Sequence, residues 1–252
     1  MGLVPGNLDV IFLRSALYQL LFLPWTLFMC LICLPILPFG SRRQMQHAAA
    51  LWLEGALWLQ RAVLGLGFEV RGGENLPKSG VIVAAKHQSA WDTMVFHRLL
   101  GDPAFILKKE LLLLPFIGWY MMKTGQIAID RSAGSSALRK MQKGARRAVE
   151  QGRSLVIFPE GHRQPAGHTG RYRSGVANLY AALDLPVVPM ALNSGMFWPR
   201  DAFLRKPGTI VLQILPPIPP GLGREALMQR LEHDIETATR ALEEEARQRF
   251  KV

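Results

Sequence analysis

Hydrophobic and polar positions divide the chain into two regimes. Residues 15–39 form a run of 25 without a single Asp, Glu, Lys or Arg, and about 20 apolar residues suffice to cross a bilayer. Pro24, Pro35 and Pro38 interrupt that run. Each removes a backbone donor, so a spanning helix and a re-entrant or interfacial one both stay open. Over residues 44–66, Leu51, Trp58 and their apolar neighbours stand among Glu54, Gln60 and Arg61. That is the pattern of a helix lying in a membrane interface, or of one packed on a globular core. The expectation is a two-helix membrane-associated segment over residues 1–67, with Arg42 and Arg43 favouring a cytoplasmic location for the rest of the chain.

From Phe68 onward the period changes. FEVRG (68–72), VIVAA (81–85), AFILK (104–108), QIAID (126–130), SLVIF (154–158), VVPMAL (187–192) and TIVLQIL (209–215) read as strands. Helical patterns fall between them near 91–99, 110–122, 135–151 and 175–183, and 223–250 reads as a surface helix with Leu227, Leu231, Ile235 and Leu242 on one stripe. Strands separated by helices predict one α/β layered domain over residues 68–252.

Composition sharpens this picture. A hydrophobic share of 49% with 19% charged residues is too apolar for an ordinary soluble protein and too charged for a bundle of spanning helices, which suggests a globular domain attached to a membrane. The net charge of +11 points to an anionic partner. No aromatic-interleaved basic tract or zinc-finger spacing is present, so no nucleic acid is expected. The predicted helix near 135–151 sets Arg139, Lys140, Lys143, Arg146 and Arg147 opposite Leu138, Met141 and Ala145, a face for anionic lipid or donor phosphates, or simply a solvated one. Cys30 and Cys33 sit inside the apolar run, not in the polar, accessible setting of a redox pair, and with no other cysteine a disulfide framework is excluded.

The chemistry-bearing stretch is KHQSAWD at 86–92, where His87 precedes Asp92 by five positions. A second pair, His97 and Asp102, has the same spacing. Residues five apart on a helix are about 140° apart, so such a pair meets only across a bend. His87 directly follows a predicted strand, and Gln88-Ser89 can turn into a helix whose first turn holds Asp92. His97 falls inside that helix, and Asp102 precedes Pro103, where the chain is biased to an extended form. In the first pair Asp92 can hold the imidazole in one tautomer while the other ring nitrogen takes a proton. On spacing alone, a structural histidine at a helix start is the commoner explanation. No GxSxG, HExxH or Walker A motif is present, so a hydroxyl activated by His87 belongs to the substrate. FPEGHR at 158–163 places Glu160 and Arg163 on one glycine-punctuated loop, as an acceptor and a fork-shaped donor for a polyol phosphate or as a surface salt bridge.

HQSAWD at 87–92, KKELLLLPFIGWY at 108–120, GQIAIDR at 125–131, FPEGHR at 158–163 and LPVVPMAL at 185–192, in that order, resemble the four ordered blocks of the glycerolipid acyltransferase family. The resemblance covers about residues 68–215. It implies a layered domain with a central mixed sheet flanked by helices, preceded by a two-helix membrane element. It further implies transfer of an acyl group from acyl-CoA or acyl carrier protein to the sn-2 hydroxyl of lysophosphatidic acid, giving phosphatidic acid at the cytoplasmic face of the inner membrane. His87 is then the general base and Asp92 its partner. Arg131, Glu160, Gly161 and Arg163 surround the glycerol-phosphate acceptor, Lys108 is a further phosphate ligand, and Pro189 belongs to the block tied to the acyl donor or to shaping the site. No metal or redox cofactor is expected. The chain departs from the family pattern at Lys86, where asparagine is common, at His162, where threonine is, and at Arg173, where lysine is. Two other readings stay open: another acceptor, such as a lyso-ornithine lipid or glycerol 3-phosphate, and a non-catalytic membrane protein that binds lipid phosphate.

Overall fold

The computed structural model describes residues 8–78, 80–130 and 133–250. Helices α1 (Leu8–Ile32), α2 (Ile36–Phe39) and α3 (Arg42–Leu59) come first, α3 running on into a π-turn at Gln60–Leu64. Next come β1 (Leu66–Arg71), β2 (Ile82–Ala85), α4 (Trp91–Leu100), β3 (Ala104–Lys108), α5 (Ile117–Lys123), β4 (Ile127–Ile129), α6 (Gly134–Glu150), β5 (Leu155–Ile157), α7 (Gly175–Leu183), β6 (Val187–Leu192), α8 (Ser194–Phe197), β7 (Gly208–Ile214) and α9 (Arg224–Phe250). Each of the seven expected strands lies within two residues of its predicted position. The helix expected over 110–122 is divided into a 3₁₀ turn, Lys109–Leu113, and α5. Leu114 is extended (φ −67°, ψ 125°) because the ring of Pro115 crowds a helical residue before it.

The strands form one mixed sheet in the order β1-β7-β6-β2-β5-β3-β4. β6, β2, β5, β3 and β4 are mutually parallel, whereas β7 runs antiparallel to β6 and carries β1 parallel to itself. Parallel central strands are covered on both faces, which is why β2 and β6 read as unbroken apolar runs and are buried throughout. Alternation sends Val83, Ala85, Val156 and Met190 to a core shared with Tyr18, Leu53, Leu57, Trp91 and Phe96 of α1, α3 and α4. Ile82, Ala84, Leu155 and Ile157 face Met141, Ala145, Val176, Leu179, Leu231 and Ile235 of α6, α7 and α9.

Of the two segments expected to make a membrane hairpin, α1 is the one helix among the described residues long and apolar enough to cross a bilayer. It buries only Ser15 and Tyr18 and leaves Leu13, Leu20, Leu27 and Ile32 exposed. α3 divides its faces, giving Met45, Leu53, Ala56 and Leu57 to the interior and keeping Leu51 and Trp58 exposed. The two helices are joined by bonds from Trp25 Nε1 to the Trp52 carbonyl (3.0 Å) and from Trp52 Nε1 to Thr26 Oγ1 (3.1 Å). A Cβ on Gly55 would lie 2.4 Å from Trp25 Cζ2, so only glycine admits this approach.

One polar knot ties this segment to the sheet. Asp102, in the turn before β3, accepts from Arg42 Nη1 (2.6 Å) and Gln46 Nε2 (2.5 Å) of α3 and pairs with Arg153 Nε (3.0 Å). The buried Arg153 also donates to the carbonyls of Pro103 (2.8 Å), Thr124 (3.0 Å) and Gly125 (3.0 Å), fastening the starts of β3, β4 and β5 together. Arg153→Met strands these buried acceptors and is expected to cost about 3 kcal/mol. Thermal unfolding in detergent should show the midpoint falling by roughly 6–12 °C, while Arg139→Met on the exposed face of α6 leaves it unchanged.

Candidate active site

The alternation of β2 continues past its end, because the Lys86 amide still donates to the Met190 carbonyl (2.9 Å). Lys86 therefore points to the α9 side of the sheet and His87 to the α4 side. The chain then turns through 88–90, and Asp92 in the first turn of α4 faces back on the turn. Asp92 Oδ2 accepts from His87 Nδ1 (3.0 Å), the Gln88 amide (2.7 Å) and the Ser89 amide (2.8 Å), and Oδ1 accepts from Ser194 Oγ (2.5 Å). The carboxylate is fully buried. Two backbone N–H groups already make Oδ2 an acceptor, which puts the imidazole proton on Nδ1 and leaves the lone pair on Nε2. Phe158 stacks on the ring at 3.9 Å and 17°, fixing its plane, and the ring keeps 14% of its surface exposed.

The FPEGHR loop grips the backbone of His87 from both sides. Gly161, at φ +76°, closes a turn in which its amide donates to the Phe158 carbonyl (2.9 Å). Glu160 Oε2 accepts the His87 amide (3.0 Å), and the Gln164 amide donates to the His87 carbonyl (2.8 Å). Glu160 Oε1 takes Lys86 Nζ (2.7 Å) and the Gly170 amide (3.2 Å). Burial pushes the Glu160 carboxyl above the usual range, while Lys86 and these amides work in the opposite direction.

Parallel strand order gathers the remaining residues. His87 follows β2, Glu160 to Arg163 follow β5, Lys108 ends β3 and Ser194 follows β6, all at the carboxyl edge of adjacent parallel strands, where α/β sheets collect their ligands. Lys108 is exposed there. Arg163 is one-third exposed, with Nη2 3.3 Å from Asp201 Oδ1. Pro189 is buried mid-strand beside Ala84, below the edge. Arg131 lies outside the described residues. Glu160 and Arg163 do not act as a pair: Glu160, expected around the acceptor, is fully buried under His87 because Lys86 and two amides hold it there, while Arg163 turns outward. Lys86 is likewise fully buried and presents no charge to an acceptor.

Sequence reasoning missed Ser194, Glu236 and Glu243. Nothing in Asn193-Ser194 announces a bond to an aspartate 102 positions earlier. The two glutamates carried a signal, standing seven apart on a stripe of α9 whose other buried members are Leu227, Leu231, Ile235, Thr239, Leu242 and Ala246.

Residues 67–193 match the family model described as Acyltransferase. The chain is 39% identical over 182 residues to the 1-acyl-sn-glycerol-3-phosphate acyltransferase of Pseudomonas aeruginosa, spanning 72% of this chain and 70% of that one. It is 30% identical over 180 residues to the Saccharomyces cerevisiae protein of the same name, spanning 69% and 59%. Among solved structures, the 1-acyl-sn-glycerophosphate acyltransferase PlsC of Thermotoga maritima shares the fold at a TM-score of 0.72, over 91% of this chain and 97% of that one, with 22% identity.

The second pair, His97 and Asp102, shows what the site requires. His97 stays within the last turns of α4, and Asp102, in the turn beyond the helix end, is committed to Arg42, Gln46 and Arg153. His97 Nδ1 is buried without a hydrogen-bond partner among the described residues. Burial lowers this imidazole to about 4, with Asp102 opposing and Arg153 assisting. The unfolded chain therefore binds a proton at His97 that the folded one refuses, and stability contributed by the neutral ring is lost as pH falls from about 6.5 toward 4. Melting curves between pH 7 and 4.5 should fall with acidification, and His97→Phe should remove on the order of 5 °C of that fall. An unchanged pH slope in the variant contradicts the assignment.

Proposed function

The chain belongs to the acyltransferase family, and we propose that it transfers a fatty acyl group from acyl-CoA or acyl carrier protein to the sn-2 hydroxyl of 1-acyl-sn-glycerol 3-phosphate, giving phosphatidic acid. The observation that carries this reading is the His87–Asp92 pair at the carboxyl edge of the sheet, with its Nδ1 committed and its Nε2 left as the acceptor. The names of the Pseudomonas and yeast relatives support the choice of lysophosphatidate as acceptor.

The hydroxyl gives its proton to His87 Nε2 as its oxygen bonds to the thioester carbonyl carbon, and buried Asp92 stabilises the imidazolium that forms. The tetrahedral intermediate then expels the thiolate, the carbon–sulfur bond breaks, and the imidazolium returns the proton to sulfur. Atoms and charges balance without metal or redox chemistry. Arg163 and Lys108, with Arg131 from the family blocks, are the cations for the acceptor phosphate. A guanidinium supplies the fork that two phosphate oxygens match. Residues 1–67 serve as the membrane-associated segment and 68–252 as the catalytic domain, with α1 setting its exposed apolar face in the lipid at the cytoplasmic side of the inner membrane.

The test is transfer from labelled palmitoyl-CoA to lysophosphatidic acid in detergent micelles. Wild type should form labelled phosphatidic acid, and His87→Ala should lose at least about 10²-fold in kcat with its melting curve intact. Equal rates remove His87 as the base. Transfer only to lyso-ornithine lipid or glycerol 3-phosphate reassigns the acceptor.

A further inference from the structure

Helix α9 lies outside the residues that match the family model, yet two of its glutamates hold the residues on either side of the base. Glu236 Oε1 accepts Lys86 Nζ at 2.8 Å, and Glu243 Oε1 accepts Gln88 Nε2 at 2.7 Å. Seven residues apart is two helical turns, so both project from the stripe that carries Leu231, Ile235 and Leu242. Both are almost completely buried, 5% and 2% exposed. Each also holds the second loop of the site: Glu236 accepts from Thr169 Oγ1 (2.9 Å) and Tyr172 Oη (3.0 Å), and Glu243 from the Gly167 amide (3.0 Å). Lys86 Nζ spends its third bond on the His168 carbonyl (2.9 Å), so all three of its donors are directed.

Burying an ammonium and its carboxylates is costly even when every proton and lone pair is matched, and apolar residues commonly stabilise such a contact better. Leu231 and Ile235 on the same stripe do so here. A directed polar set does what an apolar contact cannot: it fixes the orientation of the backbone at 86–88 against the loop 160–170. We propose that Glu236 and Glu243 are positioning residues for His87, and that α9 thereby couples the two loops of the active site. The inference rests on His87 being the base.

The test is steady-state kinetics of the full chain in micelles, with palmitoyl-CoA and lysophosphatidic acid. The variants are His87→Ala, Glu236→Gln, Glu243→Gln, Lys86→Asn and the double variant Lys86→Asn/Glu236→Gln, with a melting curve for each. The two glutamine variants keep shape and remove charge. Each should lose about tenfold in kcat, since small misplacements of a reacting group carry large rate penalties, with both KM values within about twofold and melting unchanged. Lys86→Asn leaves two carboxylates without their ammonium and should lose about 10²-fold. Adding Glu236→Gln should recover at least about threefold, because the paired changes are coupled. Wild-type kcat in both glutamine variants with His87→Ala inactive overturns the inference alone, as does a loss explained by fewer folded molecules or a double variant equal to the product of its singles. Full activity in His87→Ala overturns the base assignment and this inference with it.

Discussion

A histidine and an aspartate five positions apart cannot meet on a helix, so the chain must turn sharply between them and the turn must be held. Much of the structure around the site is arranged to that end. β2 stops at Ala85, α4 starts at Trp91, and the residues between hang on a buried carboxylate that takes the Gln88 and Ser89 amides as well as the imidazole. The turn and the dyad are thus one hydrogen-bond network, and the aspartate that orients the ring also shapes the backbone that carries it.

That network is held from several elements. The loop after β5 takes the amide and carbonyl of His87, Ser194 after β6 takes the free oxygen of Asp92, and α9 takes the side chains of Lys86 and Gln88. These elements converge because the central strands are parallel and end on the same edge. On the α4 side of the sheet, α1 and α3 cover the core; the Asp102–Arg153 knot fixes α3 to the sheet, and the tryptophan bonds join α1 to α3. The apolar helix therefore shares a rigid core with the site, which suits a reaction whose acceptor and acyl chain are both amphiphiles.

Strands and helices were legible because their apolar runs and stripes are local properties. So was the preference for His87 over His97, since a bend is visible in a strand followed by polar residues. What depended on partners distant in sequence was not legible. Glu160 and Arg163 share a loop and looked like a pair, but only the fold shows that Lys86 pulls the glutamate inward. Lys86 read only as a departure from the family's asparagine, and Glu236, 150 positions away, which gives it a second counter-charge, was out of reach. The division of 109–123 at Pro115 was readable from the proline alone, and the apolar run around it concealed that signal.

The central claim is that the turn holds His87 as a base with Nδ1 protonated and Nε2 free. The most direct measurement is nitrogen-15 NMR of the histidine-labelled full chain in micelles, with His87 assigned by its loss in His87→Ala. The account predicts a hydrogen-bonded Nδ1–H tautomer at neutral pH that disappears in Asp92→Ala. A ring protonated at Nε2, with no lone pair left for an acceptor hydroxyl, would contradict it.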